Sequence, residues 1–452
     1  MTRILSSLLP QQIKMYFKNH QEFRKIFFNA QWLMSDQLLR MVIGFIVGVW
    51  VARYLGPSDF GLLNFALAFI AMFSSLSSMG ISGIVVREIL QNPTQKDDLL
   101  GTSFGIQLLG GILCSILSIG TIVIVNRGDD QAIMLVMIMT LTLILQAVDS
   151  VDLWFQSRVQ SKYSVMAKTF SFIIASLSKI ILILTGANLV TFAWVVTLEA
   201  ALRGIGLVFL YHRTGHRLLA WRMKRKIAKD LLTQSWPLII SGFGAVIYLK
   251  IDILMLRQIS GDTATGIYSV AVQLSEVWYF IPVAIATSVF PSIIESKKAG
   301  VAIYHAKLQR IFNVVIPLSI LLSIMISVLS KPIILLLYGD VFRESIPVLA
   351  IHIWASIFIF SGAILSKYLI AEGFIKFSMI RHGLGAIMNI VLNLVLIPQL
   401  GPIGAAIATL ISYAAATYLS CFLHPGTKIV GKMITVAFLK PFKRMSETEN
   451  AQ

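Results

Sequence analysis

Twelve ionisable side chains fall inside long apolar runs of this 452-residue sequence: Asp36, Arg40, Asp149, Asp152, Lys168, Lys179, Glu199, Arg203, Lys250, Asp252, Glu276 and Lys367. If those runs cross a bilayer, each such group costs about 2.5–3.5 kcal/mol to insert near a helix centre, so each is a candidate for holding or moving charge. Spacing sorts them. Asp36 with Arg40, and Glu199 with Arg203, stand four apart on one helix face, where opposite charges neutralise each other and make burial tolerable. Arg203 and Lys168 are close enough to span ends to reach toward headgroups. Lys250 and Asp252 are two apart, about 200° around a helix, and cannot pair with each other. Lys250 therefore needs a water-filled cavity or an acid on a neighbouring helix, with Glu276 the candidate partner; cavity cation and inter-helix bridge both remain open. Asp149 and Asp152 share a face, either as ion-sensing groups or as solvated ones.

Enzymatic signatures are absent. The sequence has no Walker A loop, no dinucleotide-binding glycine fingerprint and no nucleophile elbow, so nothing reads as an ATPase and no catalytic residue is assigned. His212 and His216 have the i, i+4 spacing of a zinc pair, but no Glu follows the first and the surrounding loop is basic, so no metal is assigned. Cys114 and Cys421 lie singly in apolar runs and read as packing residues.

The elements that must carry these charges are membrane helices. Hydrophobic residues make up 57% of the chain and charged ones 13%, with a mean hydropathy of +0.81; ordinary soluble proteins carry about 25% charged residues. Apolar runs of about 20 residues are long enough to span a bilayer. Such runs occur near 31–54, 60–85, 99–125, 132–155, 163–184 and 188–210, then near 234–258, 266–290, 308–329, 346–371, 378–397 and 403–423. The pattern predicts an all-α membrane protein of about twelve spans. It divides into a tail (1–30), a first lobe (31–210), a basic linker (211–230), a second lobe (231–423) and a C-terminal tail (424–452). Residues 1–28 lack an apolar core and a cleavage site, so no signal peptide is predicted; 13–28 reads as a basic surface helix or as plain tail.

The net charge of +17 would suggest nucleic acid in a soluble chain, but membrane topology accounts for it. With the N-terminus cytoplasmic, 27 of the 38 Lys and Arg fall on that face and five on the other, leaving six within spans. Both termini are therefore expected inside, and no nucleic-acid partner is assigned. Six spans per half make the halves parallel repeats. RYLGPSDFGLLNFA from Arg53 and RQISGDTATGIYSVA from Arg257 join the first two spans of each half, and LGPIGAA from Leu400 echoes them. Gly44, Gly48, Gly101 and Gly105 have the spacing that lets helix backbones approach, and Pro282 and Pro317 are expected to kink their helices.

Several stretches carry a family resemblance: SDQLLRMVIGFIVGVWVARYLGPSDFGLLNFA, YLKIDILMLRQISGDTATGIYSVAVQLSEVWYFIPVAIATSVFPSI, LLLYGDVFRESIPVLAI and LGPIGAAIATLISY. With these the chain resembles the Wzx-type O-antigen and polysaccharide flippases, in the superfamily of the multidrug-and-toxin exporters (MATE) and the lipid II flippase. The resemblance implies a MATE-like fold, two parallel six-helix lobes around a central cavity, in the bacterial inner membrane. It implies alternating access that carries undecaprenyl-diphosphate-linked oligosaccharide from the cytoplasmic to the periplasmic leaflet, alongside a polysaccharide polymerase and a chain-length regulator. On that reading Arg40, Lys250, Lys179 and Lys367 would meet the diphosphate, and Asp36, Asp252, Glu276 and Asp149 would bind a coupling H⁺ or Na⁺ or form charge pairs. An exporter of small cationic compounds is the alternative. A polymerase or ligase fits less well, because the longest external loop, near 330–345, is short and has no His.

Overall fold

The computed structural model describes residues 21–439, with no statement about the side chains of residues 21–28, 30 and 375. The rest of the N-terminal tail, and residues 440–452, lie outside that description. The helices are α1 (Gln21–Ser77), α2 (Ser82–Gln91), α3 (Lys96–Val125), α4 (Asp130–Leu145), α5 (Ser150–Ser157), α6 (Ser161–Leu184), α7 (Leu189–Arg213) and α8 (Arg225–Glu276). They continue with α9 (Phe280–Ala299), α10 (Val301–Leu337), α11 (Ser345–His352), α12 (Ala355–Glu372), α13 (Ile375–Leu400), α14 (Pro402–Thr417) and α15 (Pro425–Leu439). Among the described residues there is no strand, and ten continuous stretches are long and apolar enough to cross a membrane. Large apolar side chains such as Leu117, Ile124, Leu321, Val328 and Leu394 are exposed along them, as a hydrocarbon solvent allows. This is a multi-pass membrane protein.

Ten stretches stand where about twelve spans are predicted, because two glycines join spans that the sequence separates. Gly56 (φ 71°, ψ 176°) breaks α1 and Gly261 (φ 85°, ψ −177°) breaks α8. Both dihedral pairs lie in a region essentially restricted to glycine. Pro57 and Asp262 follow as the first residues of the next helix, where a missing N–H or a negative charge suits the helix start. Splitting α1 and α8 there restores twelve spans. Pro282 lies in the first turn of α9, just after a break at Val277–Tyr279, whereas α10 runs unbroken through Pro317.

The described residues fold as two compact units: 21–47 with 73–240, and 48–72 with 241–439. The second unit therefore takes in 48–72, which the lobe boundary drawn at 210 assigns to the first half. Two glycines account for the exchange. A Cβ added at Gly61 would sit 1.9 Å from the Asp262 carbonyl oxygen, and one at Gly266 would sit 1.9 Å from the Pro57 carbonyl oxygen. The helices beyond the two breaks thus cross in reciprocal backbone contact.

In the first unit, the Asp129 side chain caps α4 by accepting from the Ala132 N–H at 2.9 Å, and Asn188 caps α7 through Thr191. The linker is strapped to α3: the Lys224 N–H donates to Thr102 Oγ1 at 3.0 Å, and the Arg222 backbone occupies the space beside Gly101. Gly101 and Gly105 therefore admit the linker rather than a second helix. In the second unit, serines glue α10 to α11 and α12, with Ser323 Oγ 3.1 Å from Ser356 Oγ and Ser327 Oγ donating to the Ala350 carbonyl at 2.9 Å. Part of the segment assigned as C-terminal tail is helical: α15 buries Val430, Met433, Ile434 and Ala437.

Candidate functional site

In the first unit the intramembrane charges pair between helices, not along them. Arg40 on α1 reaches Glu199 on α7 at 3.6 Å and stacks 4.9 Å from the Phe172 ring centre. Arg203 Nε lies 3.3 Å from Asp149 Oδ1, off-line for a hydrogen bond. Asp36, four residues before Arg40, accepts from Thr169 Oγ1 on α6 at 2.5 Å. The intrahelical pairs expected at 36/40 and 199/203 are thus replaced, because each acid finds a partner on a neighbouring helix. Lys168 pairs with Asp152 at 2.6 Å. Among the described residues Lys179 forms no ion pair.

The second unit holds two arrangements. Lys250 Nζ lies 3.5 Å from Glu276 Oε2, the two side chains being 31% and 32% exposed. Asp252 points elsewhere and is 4% exposed. Its Oδ1 accepts from Asn393 Nδ2 at 2.5 Å, and its Oδ2 is 2.7 Å from Thr409 Oγ1 and 3.1 Å from Tyr268 Oη. Among the described residues no cationic side chain pairs with this carboxylate. Thr409 Oγ1 is also 2.9 Å from the Ala405 carbonyl, and one hydroxyl proton cannot serve both oxygens. Asn393 Oδ1 and Asn389 Nδ2 are buried without partners among the described residues. Burying an isolated carboxylate costs far more than neutral hydrogen bonds return. The cluster therefore has the donor oxygens, and the uncompensated charge, to hold a proton or a small hard cation.

Lys367 lies 5.2 Å over the Phe290 ring without an ion pair among the described residues. Sequence reasoning missed three groups. Arg381, counted with the cytoplasmic loops, is 3% exposed on α13; its Nη2 donates to Ser366 Oγ at 2.8 Å, and it has no carboxylate partner among the described residues. Its place near the start of an apolar run made it look like a loop charge. His352 is fully buried with Nδ1 unpartnered, its ring 5.8 Å from that of Tyr268. The neutral ligands around Asp252, namely Asn389, Asn393 and Thr409, carry no charge to flag them; the spacing of Asn389 and Asn393 on one face was the available signal.

All-α architecture and charges paired across spans define a polytopic membrane protein with polar groups built among its helices. The chain belongs to the family described as polysaccharide biosynthesis protein, which matches residues 26–297. Among curated proteins it is 25% identical over 207 residues to the probable low-salt glycan biosynthesis flippase Agl15 of Haloferax volcanii, covering 44% of this chain and 43% of that one. The match thus spans less than half of that relative. The fold is similar to the lipid II flippase MurJ in an inward closed conformation (TM-score 0.72, 15% identity, 90% and 91% of the two chains). It is also similar to an inward-facing multidrug resistance MATE family transporter of the MOP superfamily (TM-score 0.66, 16% identity, 88% and 96%).

Proposed function

We propose that this protein is a flippase that moves polyprenyl-diphosphate-linked oligosaccharide across the bilayer by ion-coupled alternating access. The observation that carries the reading is the shared state of three intramembrane ion pairs. Arg40–Glu199, Arg203–Asp149 and Lys250–Glu276 each bridge separate positions in the spans, and all six side chains are between 25% and 32% exposed. A half-open charge pair cannot face hydrocarbon, so it faces water or an ionic substrate. A diphosphate cannot cross lipid unaided, and cations held loosely by acids can exchange those acids for phosphate oxygens. The relatives named as flippases of glycan biosynthesis and of lipid II support the substrate class. On this reading Arg40, Lys250, Lys179 and Lys367 meet the diphosphate, Asp252 binds the coupling Na⁺ or H⁺, both termini face the cytoplasm, and the product feeds O-antigen, capsule or exopolysaccharide assembly.

Lys250→Ala tests it in a bacterial host lacking its own flippase and in proteoliposomes with a fluorescent lipid-linked oligosaccharide. At equal expression, surface polysaccharide and flipping should fall at least about tenfold, the loss of one charge-assisted contact of about 1.5–3 kcal/mol. Unchanged polysaccharide would sink the role of Lys250. Export of small cations is the rival reading suggested by the MATE-like fold, and a drug-sensitivity panel that tracked expression would favour it.

A further inference from the structure

Helix ends and turns at one end of the first unit border an open cavity of about 570 Å³ lined by Lys96, Trp154, Arg158, Tyr163, Arg213 and His216, with Gln160 and Thr214 completing it. Nothing in the transport reading uses these residues, whose positive charge topology alone was enough to explain. The structure gives them a further property, because topology needs the charges on one face but does not need them gathered round one hollow.

Three observations converge on that hollow. First, its cations are uncompensated: among the described residues no carboxylate lines it, and Lys96, Arg158 and Arg213 form no ion pair. Lys96 Nζ stands 4.9 Å from the Trp154 ring centre and 3.1 Å from His216 Nδ1, and Arg158 lies 5.4 Å over the same indole. Neighbouring acids are engaged elsewhere: Asp152 with Lys168 and Gln156, and Asp98 with Lys224. Asp97 follows Lys96 in the chain without lining the cavity. Second, the walls are packed aromatic rings. Trp154 packs edge-on against His216 at 4.9 Å, Tyr211 lies 5.1 Å from His216, and Trp221 Nε1 donates to Tyr211 Oη at 3.1 Å. Third, the turn that presents Arg158 and Gln160 is strained. Val159 has φ 54°, a left-handed conformation that a β-branched residue adopts rarely. The Gln160 N–H closes the turn by donating to the Phe155 carbonyl at 2.8 Å, the pattern that usually recruits glycine.

We propose that this cavity is a second anion site, which binds a phosphate ester at one end of the first unit. Two guanidinium forks and an ammonium around one hollow match the planar, multidentate demand of phosphate oxygens. The cavity lies at helix ends, with Trp154 in the last turn of α5 and Arg213 in the last turn of α7. A lipid-borne phosphate and a soluble one share this chemistry, and the site stands whether or not the chain transports a lipid-linked sugar.

The test uses the full chain purified in a phosphate-free maltoside detergent, with binding read by native mass spectrometry and by thermal shift. The probes are dioleoylphosphatidic acid, inorganic phosphate and, as the uncharged control, dioleoylglycerol. Wild type should bind phosphatidic acid in preference to dioleoylglycerol. The double variant Arg158→Gln/Arg213→Gln should weaken that binding at least tenfold, and Lys229→Gln, a basic residue of the linker outside the cavity, should not. Gln160→Asp keeps every cation and adds a competing carboxylate, so it should also lose binding even if the double variant folds poorly. Inorganic phosphate that competes at similar concentration marks a soluble-phosphate site; competition by the lipid alone marks a headgroup site. Equal binding by wild type and Gln160→Asp, or equal binding of dioleoylglycerol, overturns the proposal. Binding at this cavity is read without transport, and loss of flipping in Lys250→Ala is read without this cavity, so failure of the transport reading and failure of this one are separately legible.

Discussion

His216 shows how a residue that looked like half of a metal pair takes its chemistry from its neighbours. Burial, then the Lys96 ammonium, lowers its pKa from the ordinary value of 6.5; Asp97 opposes the shift and Arg158 adds to it. Its Nδ1 faces Lys96, so the ring accepts that proton as a neutral imidazole. The folded state therefore binds fewer protons than the unfolded chain, and stability from this group is fully present above pH 6.5 and declines as pH falls through that value. The thermal midpoint in detergent should drop between about pH 7.5 and about pH 5.5 more in wild type than in His216→Asn. The difference between the two proteins is the readout; parallel profiles would refute the assignment. Lys96→Gln should shrink the drop, because it removes one of the charges that disfavour the imidazolium. From sequence alone, spacing offered His212 as the partner, and only the fold reveals that the turn after α7 swings His216 away to Lys96.

At the scale of elements, the clearest signal in the sequence was the repeated Gly-Pro or Gly-Asp step, and the structure gives it a physical cause. Gly56 and Gly261 each supply a backbone conformation closed to other residues, and five residues on, Gly61 and Gly266 each receive the partner's carbonyl. Gly61→Ala and Gly266→Ala should each destabilise by about 1–3 kcal/mol or more, as overpacking against backbone cannot be relieved by a rotamer change. Because both fill one contact, the double variant should cost less than the sum. Gly244→Ala, on α8 with open space around it, should instead gain about 0.5–1 kcal/mol from helix propensity. Thermal midpoints of the four variants check this, and a neutral Gly61→Ala would rule out the close crossing. Periodicity located the spans well because hydrocarbon demands apolar length. It misjudged the partners of Asp36, Arg40, Glu199 and Arg203, because i, i+4 spacing reports proximity along one helix and is silent about a better-placed acid on the next.

For the molecule as a whole, composition sufficed for a multi-pass membrane protein, since no soluble core explains so much apolar surface. The lobe boundary did not follow from the linker: chain continuity places 48–72 with the first half, whereas the reciprocal glycine contact packs it with the second unit. Sequence also named Asp252 without its setting, because its ligands are neutral residues from α8, α13 and α14. On the coupling reading, that setting would make the whole fold responsive to ions. A cation that binds only the assembled cluster stabilises the protein by mass action, by about 2.7 kcal/mol at a hundredfold excess over its dissociation constant. On the coupling reading, NaCl should raise the thermal midpoint beyond an equal concentration of choline chloride. Asp252→Asn should abolish the difference while remaining folded, because it removes a buried charge and keeps the side chain's shape. If protons are the coupling ion, sodium will have no specific effect, and acidification will instead raise the wild-type midpoint relative to that of Asp252→Asn. Wild type and Asp252→Asn that respond alike to both ions would remove Asp252 from the coupling mechanism while leaving the charge pairs around Lys250 and Arg40 to be judged by transport.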